Sequence, residues 1–203
     1  MPDRPGAPPR AWQRMLSGRR LDLLDPSPLD VEIGDIAHGL ARVARWNGQT
    51  KGDHAFSVAQ HSLLVEAIFS EMFPGVPAEA ALTALLHDAP EYVIGDMISP
   101  FKSVVGGGYR ECEQRLQRAV HLRFSLPAVT DERLRREIKR ADQAAAYFEA
   151  TLLAGFSQVE AAKYFGRPRG LAADRFDLEP RPVTAAQESF LHRFSALEGD
   201  RCG

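Results

Sequence analysis

Ala84-Leu85-Leu86-His87-Asp88-Ala89-Pro90-Glu91-Tyr92 sets two ionisable side chains side by side in an apolar run. Successive residues on a helix point about 100° apart, so His87 and Asp88 share a task only if something bridges them. Two other segments carry the same kind of intrusion. His61 stands in Ser57-Val58-Ala59-Gln60-His61-Ser62-Leu63-Leu64-Val65, and Asp142 in Lys139-Arg140-Ala141-Asp142-Gln143-Ala144-Ala145-Ala146-Tyr147. Each segment reads as an apolar helix with one polar residue among its core-facing positions. Burying an unpaired charge is expensive, so three such intrusions need a shared partner. A divalent cation is one.

Working outward, apolar spacing predicts an all-α bundle. Ile33, Ile36, Ala37, Leu40, Val43 and Ala44 give a first helix over 33–45, broken by Asn47-Gly48. A second spans 56–73, with His61 inward among Val58, Leu64, Val65, Ile68 and Phe69, and ends at Pro74-Gly75. A third is expected to run unbroken over 77–93, with His87 and Glu91 four apart on one face. Further helices are expected at 109–124, 130–154 (carrying Asp142), 157–165 and 184–197. Gly95 to Gly108 is read as a long connection with a hinge at Gly106-Gly107-Gly108, and 166–182 as a Pro-, Gly- and Arg-rich loop. Residues 11–24 suggest a small β-hairpin around Ser17-Gly18. Residues 1–10 hold too little apolar surface to pack and are expected to be mobile or laid on the surface. The organisation is thus an N-terminal extension, 1–28, and a helical domain, 29–203.

At 203 residues the chain suits one domain. Its 44% hydrophobic and 26% charged residues are ordinary for a globular fold. A formal charge of −2 gives no general pull toward nucleic acid or anionic membrane, so any phosphate site must be a local cluster. Two cysteines, Cys112 and Cys202, make no disulfide framework and no metal-motif spacing, which fits a reducing compartment. No apolar run has the length of a membrane span, and the N-terminus lacks the apolar segment of a signal peptide. The expected location is cytoplasmic.

The order His61, His87-Asp88, Asp142 on successive helical segments resembles the HD-domain phosphohydrolase superfamily. Arg45-Trp46, Gln60-His61-Ser62, His87-Asp88-x-x-Glu91, Gly95-Asp96-x-x-x-Pro100-x-Lys102 and Ala141-Asp142 together look like its bacterial 5′-deoxynucleotidase branch, over about residues 33–155. The resemblance implies an HD-domain helical bundle with four metal ligands, His61, His87, Asp88 and Asp142. It implies one divalent ion, with Mn, Co, Zn, Fe, Ni and Mg all admissible. Glu91 resembles the family's catalytic carboxylate, for water positioning or proton transfer. Asp96 would act on the leaving 5′-oxygen or orient water. Arg45, with its planar fork, and Lys102 would meet phosphate; Trp46 would pack on the sugar; Lys51, and more weakly His54, lie near the expected cavity mouth. One departure stands out: Gln60 replaces the glutamate that the branch places before its first metal histidine, which bears on how His61 is tuned.

Taken singly, each residue has a plainer reading. His61 fits a core histidine bonded to a carbonyl, His87-Asp88 a cap or surface pair, Asp142 an ion pair with Lys139 or Arg140, and Glu91 a solvated glutamate. Trp46 fits core packing, Asp96 a turn residue. The expected activity is hydrolysis of (deoxy)nucleoside 5′-monophosphates to nucleoside and phosphate by water activated on the metal. Triphosphate or alarmone hydrolysis with the same centre, and a nucleotide sensor with a vestigial metal site, are the alternatives. The implied partner is a small-molecule nucleotide rather than nucleic acid or membrane, and a homodimer is allowed.

Overall fold

The computed structural model describes residues 10–97 and 107–202. The Pro-rich start, the stretch 98–106 that holds Lys102 and Gly106, and Gly203 lie outside them. Two short antiparallel strands, β1 (Trp12–Arg14) and β2 (Arg20–Asp22), form the expected hairpin, with Trp12 opposite Asp22 and Arg14 opposite Arg20. Gly18, at φ 88°, turns it. Leu21 is its buried anchor, and Ser17 ties the tip to Asp35 through its backbone N–H (3.0 Å) and its hydroxyl (2.5 Å).

The other regular elements of the described residues are helices: α1 (Ile33–Leu40), α2 (Val58–Met72), α3 (Ala78–Leu85), α4 (Glu91–Ile94), α5 (Gly107–Arg123), α6 (Glu132–Leu152), α7 (Gln158–Phe165) and α8 (Val183–Cys202). Short 3-10 turns lie at Pro28–Asp30, Arg45–Gly48 and Ala173–Arg175. Side-chain caps set several starts. Ser57 accepts from the Gln60 N–H, Asp131 from Arg133 and Leu134, and Ser157 forms a capping box with Glu160. No helix among the described residues is long and apolar enough to cross a membrane.

Two apolar clusters fill the bundle. One joins Leu21 and Val31 to α1, α3, α5 and α8; the other joins α2 to α6, with Phe56, Phe69, Phe148 and Leu153 prominent. Helix α2 packs most extensively on α6, then on α3 and α8. Glu66 of α2 also grips Arg193 of α8 at 2.7 and 2.8 Å.

Two differences from expectation shape the site; a third, away from it, is that the last helix runs on from 197 to Cys202. The first helix stops at Leu40 rather than 45. Val43 and Arg45 instead pair with the entry to α2: the Val58 N–H donates to the Val43 carbonyl (2.9 Å) and the Arg45 N–H to that of Phe56 (2.8 Å). The loop from Trp46 to Ala55 is thereby pinched at its base, and Arg45-Trp46 stands beside the first turn of α2.

The second difference is a break in the expected helix 77–93. Pro90 has no N–H for the carbonyl of Leu86. That carbonyl instead accepts from the Ala89 N–H (3.1 Å) and from the Gln117 side chain of α5 (3.0 Å). From His87 to Val93 the backbone bonds run mainly to the third residue back, as in a 3-10 turn. His87-Asp88 therefore sits in a tight turn between α3 and α4. The tightened turn is how neighbouring side chains come to face one point.

Candidate metal centre

His61 projects from the first turn of α2 and is wholly buried. Its Nδ1–H donates to Oε1 of Glu149 at 2.5 Å, which leaves the Nε2 lone pair free to bind outward. His87 does the same with a different partner: its Nδ1 bonds the Ala84 carbonyl at 2.9 Å. Both Nε2 atoms are buried without a hydrogen-bond partner. Two buried imidazole nitrogens without partners, on rings whose centroids are 5.3 Å apart, fit a pair of cation ligands.

Carboxylates close the set. Asp88 Oδ2 lies 3.4 Å from His61 Nε2 and 3.2 Å from His87 Nε2, and donor atoms of these three residues all fall within 4.8 Å of one another. Asp142 arrives from α6, with Oδ1 3.4 Å from His61 Nε2. Its other oxygen takes Lys139 at 2.6 Å, so the plainer ion-pair reading holds for one oxygen while the other faces the imidazole. Nitrogen and carboxylate donors at this spacing fit a divalent first-row metal.

The electrostatics agree. Burial and the Arg45 cation push the His61 pKa down, but Glu149, Asp142 and Asp88 outweigh them and hold it well above its ordinary value. Burial raises Asp88, yet His87 and His61 bring it well below the carboxylate range; burial likewise opposes the nearby His61 imidazole that lowers Asp142.

Around this set lie the other residues singled out from sequence. Glu91 is 2% exposed and begins α4, one short turn beyond Asp88. Gly95, at φ 76°, ends α4, and Asp96 follows it to meet Arg45 Nη1 at 2.8 Å. Arg45 also donates from Nε to Glu149 at 3.3 Å. Buried between carboxylates, its guanidinium is held firmly charged: burial opposes this, and Glu149, Asp96, Asp88 and Glu91 prevail. Trp46 donates from Nε1 to Glu149 at 2.8 Å and packs on Phe156 and Phe165, at 5.6 and 5.7 Å. It thus has the core contacts of its plainer reading, at the rim of the centre.

Lys51 is not brought to the ligands. Its side chain is exposed and its backbone bonds Leu153, about three helical turns past Asp142. His54 is exposed in the same loop. Gln60 points away from His61, bonding Glu179 and Arg181 at 2.7 and 3.3 Å. The acid that serves His61 is Glu149, which sequence reasoning missed. The signal was its spacing: seven residues past Asp142, two turns on, it shares Asp142's face of α6.

Comparison with known proteins supports the same assignment. The family model described as 5′-deoxynucleotidase YfbR-like matches residues 36–107. An uncharacterized protein of Rhodobacter capsulatus is 56% identical over 188 residues, covering 93% of this chain and 96% of that protein. The uncharacterized protein YfdR of Escherichia coli is 33% identical over 100 residues, 49% of this chain and 51% of that one. The chain belongs to the YfbR-like, 5′-deoxynucleotidase-like branch of the HD-domain superfamily.

Proposed function

We propose that this chain is a divalent-metal-dependent phosphohydrolase that converts (deoxy)nucleoside 5′-monophosphates to nucleoside and phosphate. The observation that carries the reading is the meeting of two unpartnered imidazole Nε2 atoms with Asp88 and Asp142, beside Glu91 and the Arg45–Asp96 pair. A divalent ion held by His61, His87, Asp88 and Asp142 would supply Lewis-acid polarisation of a phosphoryl oxygen and a lowered pKa for attacking water.

The chain's own groups divide the remaining work. Glu91, buried at the start of α4, accepts the proton that the attacking water sheds. Arg45 turns its fork from Asp96 to the phosphate oxygens. Asp96, freed from Arg45, takes a proton from solvent and delivers it to the leaving 5′-oxygen. Trp46, fixed at the rim, presents a flat edge to the sugar.

A short phosphate chain fits the modest supply of cations. Among the described residues named for substrate contact, Arg45 alone borders the ligand set, and Lys139 is already paired with Asp142. The test is a phosphate-release screen over ribo- and deoxyribonucleoside mono-, di- and triphosphates with Mn²⁺, Co²⁺, Zn²⁺ or Mg²⁺. The expected result is monophosphate turnover that Glu91→Ala abolishes. Release of pyrophosphate or triphosphate would move the assignment to a longer-chain substrate, and silence with every metal would leave a nucleotide-binding protein.

A further inference from the structure

Glu149 touches both sides of the centre at once. Fully buried, it takes the His61 Nδ1–H on Oε1 (2.5 Å) and, on Oε2, the Trp46 Nε1–H (2.8 Å) and the Arg45 Nε–H (3.3 Å). We propose that Glu149 is a positioning residue that holds the metal ligand His61 and the substrate arm Arg45-Trp46 in one register, so that loading the metal centre is felt at Trp46. The inference rests on the metal-centre reading above and extends it to how the two halves are kept in step.

Three donors converge on this one side chain, so only a group with acceptors on both ends satisfies them. A glutamine keeps an acceptor for one side and must turn an N–H₂ donor toward the other. That mismatch leaves a buried donor facing a donor. An aspartate loses a methylene of reach and cannot span from His61 to Trp46.

The arm itself needs holding. Trp46 and Asn47 adopt φ of 57° and 51°, the left-handed region that a bulky side chain rarely enters. Such a conformation persists only where its surroundings impose it. Here the imposing contacts are the Glu149 hydrogen bond, the Phe156 and Phe165 rings, and the pairing of Arg45 with Phe56. Release Glu149 and the turn loses its polar tether, with Arg45 attached to it.

Helix α6 supplies the rigidity. Asp142 and Glu149 lie two turns apart on one face of a helix packed along α2, so a ligand and its positioning residue move as one body. The metal ligand on α2 and the arm on the preceding loop are both referred to that helix.

The chain has two tryptophans, Trp12 and Trp46, so a Trp12→Phe background makes emission report on Trp46 alone. Zn²⁺, which is not paramagnetic, is titrated with calorimetry and fluorescence in parallel, followed by inorganic phosphate on the Zn²⁺-loaded protein. In the parent, Zn²⁺ binding is expected to shift Trp46 emission. In Glu149→Gln, Zn²⁺ affinity falls about 10- to 100-fold, saturating Zn²⁺ no longer shifts the emission, and phosphate binds more weakly. Parent-like affinity with a parent-like emission response in that variant would overturn the proposal. If the Gln variant does not fold, Glu149→Asp is read by the same two measurements with the same expected losses. A parent that binds no Zn²⁺ by calorimetry would instead overturn the metal centre, a separate result from any difference between variants.

Discussion

Arg45 Nη1 and Asp96 Oδ2 meet at 2.8 Å across 51 residues of chain, joining the expected phosphate hook to the expected acid. Two residues with separate tasks are, before substrate arrives, each other's partner. Asp96→Asn keeps the shape and removes the charge that occupies Arg45. Inorganic phosphate is then expected to bind more tightly, as a competitive inhibitor, while kcat falls about 10²- to 10⁴-fold. Weaker phosphate binding in that variant would mean that Asp96 aims Arg45 rather than competing for it.

The proton on His61 predicts how metal uptake depends on pH. Its pKa is raised in the folded protein, above an ordinary value of 6.5. A raised histidine contributes stability that is complete below about pH 6.5 and lost as pH rises through the folded value. Metal binding needs the same nitrogen deprotonated. Loading Zn²⁺ at pH 7 should therefore release about one proton, seen as calorimetric heats that vary with buffer ionisation enthalpy. The Tm of the metal-free protein should decline from pH 6.5 upward, and the loaded protein should lose this decline. Equal heats in all buffers would contradict the assignment of His61.

Asp88 offers a cleaner test of the ligand set. Its oxygen lies within 3.4 Å of both imidazole Nε2 atoms, and its pKa is depressed by them. Asp88→Ala removes the carboxylate common to both histidines and is expected to abolish metal binding. At 100-fold over its Kd, metal should stabilise the parent by about 2.7 kcal/mol, raising its Tm; the variant's Tm should not respond. Full occupancy in Asp88→Ala, measured by bound-metal analysis, would show that the ligand was misassigned.

What the sequence made legible were the groups that are expensive to bury. His61, His87, Asp88 and Asp142 stood out because each interrupts an apolar helix, and Ser17-Gly18 marked a turn by local chemistry. Glu149 is an intrusion of the same kind, two turns past Asp142, but its partners Trp46 and Arg45 lie about a hundred residues earlier and leave no signature in α6. The break after Leu85 was signalled by Pro90, yet the apolar spacing on both sides argued for a continuous helix. What replaced the lost bond was a glutamine on α5, and such a partner has no signature in the segment it serves. The left-handed turn at Trp46-Asn47 was half hidden: asparagine enters that conformation readily, and tryptophan does not. It follows from the pairing of Val43 and Arg45 with the entry to α2, a tertiary contact.

Gly39 governs how closely α1 approaches the helix that carries Glu91. A Cβ at that position would lie 2.7 Å from the Tyr92 carbonyl oxygen and 2.8 Å from the Tyr92 Cβ, closer than atoms tolerate. Neither contact is the far end of a flexible chain, so α4 must shift, and Glu91 adjoins Tyr92. Gly39→Ala is expected to cost about 1–3 kcal/mol through overpacking, read as a lower urea midpoint with unchanged slope. Because His61 and Asp142 are placed by α2 and α6, kcat should fall more than metal affinity. Gly34 in the same helix has nothing within 4 Å of an added Cβ. Gly34→Ala should therefore stabilise by roughly 0.5–1 kcal/mol, the usual gain of alanine over glycine in a helix. If both variants gained stability, the α1–α4 approach would not be tight, and the placement of Glu91 would have to rest on other contacts.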